Sequence, residues 1–544
     1  MELMRDILIE SAERFGEKAA FMQKEDGAYR AYSFLRYKSD VEAFGAGLLE
    51  MGLGGSRILL AGENCYAWVV AYMAVVSGVG FVVPVDKDAT AEEIGTVARA
   101  CGAGAIIGSD AVLSRVEGDV QKISFSQMGE ILEAGRAAIN GGASGVFDVE
   151  VDKDAEAVLL YEGGRGVMLS NANIVFDIEQ TFGLLDVTDK DTFFSVLPLH
   201  YAFECTAGFL GALRAGATVA FGEGLGHIVA NLAEVKPTVV LCVPLLMEAL
   251  WRKVNVEIKR QGLEKKVQAA IRTTDAIRPK GLSVAAKRRV FASFHKMLGG
   301  HLRMLISVGS PADETVANGL ASFGLRVIQG YGFAECAPFV AINPTRAPKS
   351  ASVGVGLPEG TVDIYNVQKD GTGEIRYKGK NVMPGYCGDE TTPAKRGEWF
   401  YTGDMGYLDQ DGYLYVLGRK KNMMVTASGK SVYPEEIEAL LCANPFVREA
   451  VVVGRIDASQ KDYELVAVIH PDYDAVRQVY GQNFVPENVE GELDAALENV
   501  NEHVAPHKRL KAYIVRDNAF PKDTTRKIRR SSAAEDVKRG EEIV

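Results

Sequence analysis

The sequence lacks the features that mark secreted, metal-binding and nucleic-acid-binding proteins. Its seven cysteines are scattered along 544 residues, without a CxxC pair or the spacing of metal ligands. A formal net charge of -12 argues against a nucleic-acid partner, because phosphate backbones bind basic surfaces. The N-terminus has no apolar core typical of a signal peptide. We therefore expect a cytoplasmic protein with reduced, buried cysteines.

One apolar stretch approaches the length of a membrane span. Residues 67–84 read AWVVAYMAVVSGVGFVVP, but Ser77, Gly78 and Gly80 interrupt them near the centre. The stretch therefore predicts a buried helix followed by a parallel strand. Peripheral contact with a membrane surface stays open, and so does the oligomeric state.

Strand-like and helix-like segments alternate through much of the chain. The order SRILLAGEN, a helix from Tyr66, GFVVPVD, TAEEIGTVARACG and GAIIGS is typical of a doubly wound α/β sheet. The later runs KPTVVLCVP, LRMLISVGSP and LRVIQGYG end in glycine, proline or polar residues. Strands of this kind open at their carboxyl ends onto a ligand crevice.

The pattern changes near residue 352. Two segments, TVDIYNVQKDGTGEIRYKGK and GYLDQDGYLYVLGR, each place a DG turn between alternating strands, which predicts hairpins. Beyond Lys421, short strands mix with two predicted helices. We expect an α/β N-terminal domain over 1–420, β-rich over about 352–420, and a small mobile α+β domain over 421–544.

Seven motifs in order resemble those of the adenylate-forming (AMP-binding) enzymes, and most closely the long-chain fatty acid-CoA ligases. They are LAGENCYAWVVAYMAVVSGVGFVVPVD, LPLHYAFE, SVGSPADE, QGYGFAEC, YTGDMGYLDQDGYLYVLGRKKN, ASGKSVYPEEIE and FPKDTTRKIRR. The resemblance implies activation of a carboxylic acid as acyl-AMP and its transfer to a thiol. It implies ATP, Mg²⁺ and coenzyme A as cofactors and a fatty acid as substrate.

Three residues match catalytic positions of that family. Lys527 matches the lysine that reaches from the small domain to the acyl carboxylate and the ribose-phosphate oxygens. Glu335 matches the magnesium-binding acid. His200 matches an acyl-pocket residue, although a packed core histidine is an equal alternative.

The resemblance also implies a nucleotide site. Asp404 matches the acid that accepts hydrogen bonds from the ribose hydroxyls, and Arg419 a ribose-phosphate contact. Gly330 and Gly332 would let the backbone approach the nucleotide while Tyr331 stacks on adenine. The full set of matching nucleotide-binding residues is Gly309, Ser310, Pro311, Gln329, Gly330, Tyr331, Gly332, Asp404 and Arg419.

Two further positions concern domain movement. Lys421 matches the hinge about which the small domain rotates, and Gly429 matches the lining of the thiol tunnel. The chain departs from the family at Ala334, where threonine is usual, and at Arg526, where glycine is frequent. The first departure removes a hydroxyl that would contact phosphate.

The largest departure lies in the phosphate-binding loop. The family pattern YTSGTTGxPKGV has nine residues between its tyrosine and closing GV, whereas four separate Tyr161 from Gly166. The remnant Gly163, Gly164 and Arg165 lacks the hydroxyls and lysine that grip the β- and γ-phosphates. Four residues extend about 14 Å at most, so the loop cannot easily wrap a triphosphate. Arg165 offers a substitute cation, and a plain strand-to-helix turn without ligand is the alternative.

Two hypotheses about function therefore remain. The first is an ATP-dependent acyl-CoA or acyl-carrier-protein ligase with a weakened phosphate clamp. The second is a catalytically impaired or non-catalytic relative that binds nucleotide, acyl chain or a partner. Lys527, Glu335, Asp404 and Arg419 favour the first, whereas Ala334 and the short loop favour the second.

Overall fold

A computed structural model describes residues 1–162, 164–278, 280–388, 395–425, 430–456, 463–481, 484–522 and 528–541. Helices and strands are numbered in chain order. The α-helices are α1 (Met4–Phe15), α2 (Phe34–Glu50), α3 (Tyr66–Ala74), α4 (Ala91–Cys101), α5 (Asp110–Leu113), α6 (Met128–Asn140), α7 (Asn171–Leu184), α8 (Ala212–Arg214), α9 (Ile228–Val235), α10 (Pro244–Arg260), α11 (Glu264–Asp275), α12 (Lys280–Val290), α13 (Ala292–Met297), α14 (Glu314–Ser322), α15 (Pro434–Cys442), α16 (Tyr473–Tyr480), α17 (Pro486–His503) and α18 (Ser531–Glu541).

The strands belong to four sheets. They are β1 (Ala19–Glu25), β2 (Ala28–Ser33), β3 (Ser56–Ala61), β4 (Gly80–Val85), β5 (Ala105–Gly108), β6 (Gln121–Ser124), β7 (Glu156–Glu162), β8 (Arg165–Ser170), β9 (Thr192–Ser195), β10 (Thr218–Phe221), β11 (Val239–Cys242), β12 (Met304–Ser307), β13 (Arg326–Gly332), β14 (Phe339–Ile342), β15 (Gly354–Gly356), β16 (Thr361–Tyr365), β17 (Gly373–Lys378), β18 (Gly385–Cys387), β19 (Phe400–Leu408), β20 (Tyr413–Arg419), β21 (Met424–Val425), β22 (Ser431–Val432), β23 (Val447–Ile456), β24 (Tyr463–Pro471) and β25 (Leu510–Val515).

Two large sheets organise residues 1–420. Within the described ranges, one sheet has the strand order β18-β8-β7-β4-β3-β5-β6. The other runs β16-β17-β19-β20-β15-β14-β13-β12-β11-β9-β10-β1-β2. The neighbouring strands among β9, β10, β11, β12 and β13 pair in parallel, as the alternation of strand and helix predicts.

The seven-stranded sheet is covered on both faces. Along β3, Ile58 and Leu60 pack into one hydrophobic cluster while Leu59 and Ala61 pack into another. This division follows from the two-residue period of a strand. The largest cluster takes residues from both sheets, so the main core lies between them. The predicted α/β fold is confirmed.

The membrane-like stretch is internal to this core. It forms α3, a π-helical segment Val75–Val79 and strand β4, which pairs in parallel with β3. Gly78 has a φ of 157°, and a Cβ there would lie 2.5 Å from the carbonyl oxygen of Val146. The predicted helix and parallel strand are therefore confirmed. Within the described ranges, helices of the length and apolarity needed to cross a membrane are absent.

The seven cysteines are free thiols. Cys101, Cys205, Cys242 and Cys336 are buried, and the other three are half-buried. Burial raises the pKa of the Cys205 and Cys242 thiols to about 12, so both are neutral. They act as small apolar side chains in the core.

The β-rich region contains the predicted hairpins. Strands β16 and β17 are antiparallel, with Asp363 opposite Arg376. Strands β19 and β20 are also antiparallel, with Asp404 opposite Arg419. The second register matters for the site, because it places a carboxylate and a guanidinium side by side.

Residues beyond 421 build a separate sheet, β23-β24-β25, with its own hydrophobic cluster. Helix α10 joins it to the larger body: Val256 enters that cluster, and Arg252 Nη1 lies 2.8 Å from Asp472 Oδ2. Both charged side chains are about one-tenth exposed, so the pair is buried. The division of the chain at 420/421 into a large N-terminal domain and a small mobile C-terminal domain remains a prediction.

Candidate functional site

The candidate site lies where parallel strands end. The carboxyl ends of β12 and β13 lead directly into the SVGSP and QGYGFAEC segments, and β9 leads to His200. Because parallel strands share one carboxyl edge, these segments converge on one side of the sheet. The hairpin β19–β20 adds Asp404 and Arg419.

Asp404 is the centre of a polar cluster. Its Oδ2 accepts a hydrogen bond of 2.8 Å from the Tyr331 hydroxyl, and its Oδ1 lies 2.9 Å from Arg419 Nε. The Arg419 side chain is 40% exposed, whereas the Asp404 carboxylate is nearly buried. The guanidinium also lies over the Phe333 ring, 5.6 Å from its centroid. A carboxylate held at one wall of the crevice can still accept further hydrogen bonds.

Tyr331 is more enclosed than a residue that only stacks on a ligand. It is 7% exposed and contacts Phe333 edge-on, and burial raises the pKa of its hydroxyl well above the usual range. The neighbouring glycines have a packing role. A Cβ on Gly330 would lie 2.6 Å from the Phe339 ring, and one on Gly332 would lie 1.8 Å from the Pro338 carbonyl oxygen. Close packing within the protein therefore explains both glycines.

Gln329 holds the SVGSP loop. Its Oε1 accepts a 2.9 Å hydrogen bond from the backbone N–H of Ala312, and its Nε2 donates to the Ser350 carbonyl. Gly309 has a φ of 92°, and a Cβ there would lie 2.4 Å from the Tyr201 hydroxyl oxygen. The loop therefore exposes Ser310 and Pro311 on a fixed backbone. The Gln329 side chain supports the loop from within the protein.

Glu335 sits in a 3₁₀ turn, Ala334–Cys336, immediately after β13. Its Oε1 accepts a 3.0 Å hydrogen bond from the Tyr386 hydroxyl. Arg165 also contacts this tyrosine, with its guanidinium carbon 5.1 Å from the ring centroid. Burial, with a smaller contribution from the Glu335 charge, raises the pKa of Tyr386 to about 12. Arg165 and Glu335 thus both contact Tyr386.

A buried network fixes the turn that carries Glu335. Asp177 Oδ1 accepts from the Phe339 N–H at 3.0 Å and from Asn381 Nδ2 at 3.1 Å. The Asn381 amide also donates to the carbonyls of Cys336 and Phe339, each at 2.7 Å. Burial raises the pKa of Asp177 well above its usual range, and the hydrogen bonds from Phe339 and Asn381 oppose this in part. The hydrogen bonds of Asp177 and Asn381 hold the loop in one conformation.

The shortened phosphate loop is a tight β-hairpin. Strands β7 and β8 pair up to Glu162 opposite Arg165, which leaves two residues in the turn. Gly164 has a φ of 82°, as such turns require. Strand β8 then runs to Ser170, whose side chain caps α7. The alternative of a strand-to-helix turn is wrong, because a second strand separates the turn from the helix.

His200 lies at the edge of the crevice. Its Nε2 is 3.8 Å from Asp86 Oδ2, just beyond the end of β4, and about a quarter of its side chain is exposed. The neighbouring Phe203, Phe209 and Leu210 are buried in the main core. Their placement agrees with a packing role for these three residues.

The LPLHYAFE segment also contributes a buried acid. Glu204 is 1% exposed, and its Oε1 accepts a 2.6 Å hydrogen bond from the Ser195 hydroxyl. Asn64 donates to the Ser195 oxygen at 2.9 Å and thereby links the two large sheets. Burial raises the pKa of Glu204 to about 8, and the Ser195 hydrogen bond opposes this only in part. Glu204 is therefore protonated at neutral pH.

We expect the Glu204→Gln substitution to change how stability depends on pH. In the native chain the free energy of unfolding should fall between pH 4.5 and 8, because only the unfolded state releases this proton. The slope is about 1.4 kcal/mol per pH unit for one proton. Glutamine removes this term, so the variant should gain stability relative to the native chain as pH rises. Denaturant unfolding at pH 5, 6, 7 and 8 measures the difference.

An exposed control, Glu50→Gln, should follow the native chain at every pH. Parallel pH curves for native protein and Glu204→Gln would contradict a neutral buried acid.

Several predicted residues are not joined to the cluster. Lys421 is exposed in the short turn Lys420–Asn422, where its neighbour Lys420 pairs with Glu374 at 2.7 Å. Gly163, Gly429 and Lys527 lie outside the described residues. Within the described ranges, groups of three or more His, Cys, Asp or Glu residues arranged to hold a metal are absent.

The sequence pattern did not identify Tyr386, Asp177 or Asn381. Tyr386 follows glycine in MPGYCGD and resembles any strand aromatic, so its contact with Glu335 depends on the pairing of β18 with β8. Asp177 and Asn381 are 204 residues apart. The available signal for such buried residues was a polar residue within an apolar segment of a helix, such as Asp177 in NIVFDI.

Comparison with known proteins places the chain in a family. The family model described as AMP-binding enzyme matches residues 8–387. A similar curated protein is the long-chain-fatty-acid–CoA ligase FadD15 of Mycobacterium tuberculosis, with 26% identity over 94% of this chain and 91% of that protein.

Solved structures agree in fold. An anthranilate CoA ligase, AuaEII, in complex with anthranoyl-AMP superposes with a TM-score of 0.76 and 17% identity, over 98% of this chain and 96% of that one. A benzoate CoA ligase from Burkholderia xenovorans LB400 gives a TM-score of 0.73 and 21% identity, over 98% and 99% of the two chains. The likeness extends over both the larger body and the C-terminal sheet.

Proposed function

Because the chain belongs to the AMP-binding enzyme family, we propose that it is an acid–thiol ligase that forms acyl-AMP and transfers the acyl group to coenzyme A. The acid is a fatty acid, since the similar curated proteins are long-chain-fatty-acid–CoA ligases. The substrates are then a fatty acid, ATP and coenzyme A.

The observation that carries this proposal is the Asp404 cluster. A nearly buried carboxylate beside an arginine, at the carboxyl edge of a parallel sheet, is suited to a ribose and its phosphate. Asp404 would accept from the ribose hydroxyls, and the exposed part of Arg419 would contact the α-phosphate. The backbone at Gly309 and Gly330 would border the adenine.

The remaining residues would supply the chemistry. The carboxylate of the acid attacks the α-phosphorus and pyrophosphate leaves, so negative charges meet and the protein must supply cations. We assign that task to Lys527, which would bridge the acyl carboxylate and the nucleotide. His200 would border the acid, Lys421 would be the hinge and Gly429 would line the thiol tunnel.

A single carboxylate, together with substrate phosphates, is sufficient to bind Mg²⁺. Mg²⁺ is usually bound by one or two carboxylates together with substrate phosphates. Glu335 accepts from Tyr386 through one oxygen, and a carboxylate has further acceptor positions. Glu335 would therefore hold the ion, whose charge would offset that of the phosphates when bound.

The test is fatty-acid-dependent exchange of labelled pyrophosphate into ATP, over acids from octanoate to stearate. We expect exchange above background for at least one acid, and its loss in the Lys527→Ala variant. Loss is expected because the lysine supplies positive charge in the transition state. An Arg99→Met variant on the exposed surface of α4 should exchange like the native chain.

The tight hairpin favours a second candidate, a relative that binds AMP or acyl-AMP without turnover. Absence of exchange and of acyl-CoA formation for every acid, together with measurable AMP binding, would establish this candidate and reject the ligase.

A further inference from the structure

The hairpin removes only one part of the expected nucleotide site. Its register leaves two residues between Glu162 and Arg165, so the turn carries neither a hydroxyl nor an ammonium group. These are the groups that a phosphate loop directs at the β- and γ-phosphates. The turn can contribute at most a few backbone N–H groups.

The charges near the turn also disfavour a triphosphate. Arg165 is the cation of the turn, and its guanidinium faces the Tyr386 ring. Glu162, which adjoins the turn in sequence, is an acid. A triphosphate carries several more negative charges than an acyl-adenylate, so it needs more cations at this position.

The residues that we assign to AMP are held in place by contacts within the protein. Asp404, Arg419 and Tyr331 are held together by contacts of 2.8 and 2.9 Å. Gln329 fixes the SVGSP loop by accepting from the Ala312 N–H, and Asp177 fixes the turn that carries Glu335 through Asn381. None of these contacts involves the shortened hairpin.

We propose that this chain retains the half-reaction between acyl-AMP and a thiol, while its half-reaction with ATP is selectively slow; this inference rests on the proposed function. In the retained step the thiol sulfur forms a bond to the acyl carbon. The bond from that carbon to the phosphate oxygen breaks, AMP leaves with the electron pair, and the thiol proton passes to solvent. The reverse step makes acyl-AMP from acyl-thioester and AMP. Neither direction needs β- or γ-phosphate contacts.

The expected difference in rate between the two half-reactions follows from the hydrogen bonds that the short hairpin lacks. Each hydrogen bond to a charged group contributes about 1.5 to 3 kcal/mol, so losing two slows the ATP step by about 10²-fold or more. The acyl-AMP step should not be slowed by this loss. A supplier of acyl-adenylate or acyl-thioester would then be the natural source of substrate.

The experiment compares both half-reactions on the full chain. Chemically prepared acyl-AMP, from octanoyl to stearoyl, is mixed with coenzyme A, and acyl-CoA is measured in a single turnover. Pyrophosphate exchange is measured with the matching acids and Mg²⁺. We expect acyl transfer to exceed exchange by about 10²-fold or more, and Arg165→Met to lower exchange about tenfold further.

The outcomes separate this inference from the proposed function. Acyl transfer with weak exchange supports both. Exchange as fast as acyl transfer overturns the inference and leaves the ligase intact. Absence of both activities with every chain length overturns both.

Discussion

Replacing residues 162–165 by the nine-residue segment TSGTTGAPK should raise fatty-acid-dependent pyrophosphate exchange by about 10²-fold or more. The replacement restores hydroxyls and a lysine between β7 and β8, where the native turn has two residues. Two or three new hydrogen bonds to the β- and γ-phosphates contribute about 3 to 9 kcal/mol when their geometry is ideal. Imperfect geometry in the replaced loop will reduce this contribution. Exchange at saturating ATP, with the acid that gives the highest native rate, measures the gain.

A matched segment separates chemistry from loop length. The control replaces the same four residues by nine alanines and glycines, without hydroxyls or lysine. It should leave exchange at the native level, and neither segment should raise transfer from preformed acyl-AMP to coenzyme A. An unchanged exchange rate with the full segment, in a variant that unfolds like the native chain, would show that the hairpin does not limit the reaction.

The Asp404→Asn substitution should lower both half-reactions by about 10²-fold. Asparagine keeps the size of the side chain but presents one acceptor oxygen, so the ribose loses a charge-assisted hydrogen bond and Arg419 loses its partner. Because adenosine is bound in both half-reactions, pyrophosphate exchange and acyl transfer should fall together. This pattern differs from that of the hairpin replacement, which acts on exchange alone. Both rates are measured with one acid and its acyl-AMP.

The chain offers a closely matched control. Asp363 lies opposite Arg376 on the neighbouring hairpin, with a 2.7 Å contact to its Nε, in the same cross-strand relation as Asp404 and Arg419. Asp363→Asn should therefore reproduce the loss of an ion pair without changing either rate. Equal losses in both variants would assign the effect to the stability of the β-rich region.

Much of the site could be read from the order of residues along the chain. Tyr331 and Glu335 lie at the recognisable end of β13, and the ends of parallel strands share one edge of a sheet. The prediction that the region after residue 352 forms hairpins was confirmed, because DG turns and two-residue periodicity act locally. These inferences depend on residues close together in sequence.

The hairpin at residues 161–166 shows where this reasoning fails. Its glycines and arginine suit a strand-to-helix turn equally well. Only the pairing of β7 with β8 shows that a second strand follows the turn. A second pairing brings β18 beside β8 and puts Tyr386 in contact with both Arg165 and Glu335. Contacts between residues more than 200 positions apart depend on sheet order, which short motifs do not encode.

The sequence by itself determined the alternation of strands and helices, the hairpins of the β-rich region and the residue types at the crevice, because periodicity, turn residues and motif spacing are local properties. The tertiary structure decided which of those residues meet. It paired Asp404 with Arg419 and Tyr331, made Gln329 a support of the loop, and buried the acids Asp177 and Glu204, which raises their pKa values. Burial and cross-sheet contact depend on the packing of the whole chain, and they set the charge and position of each group.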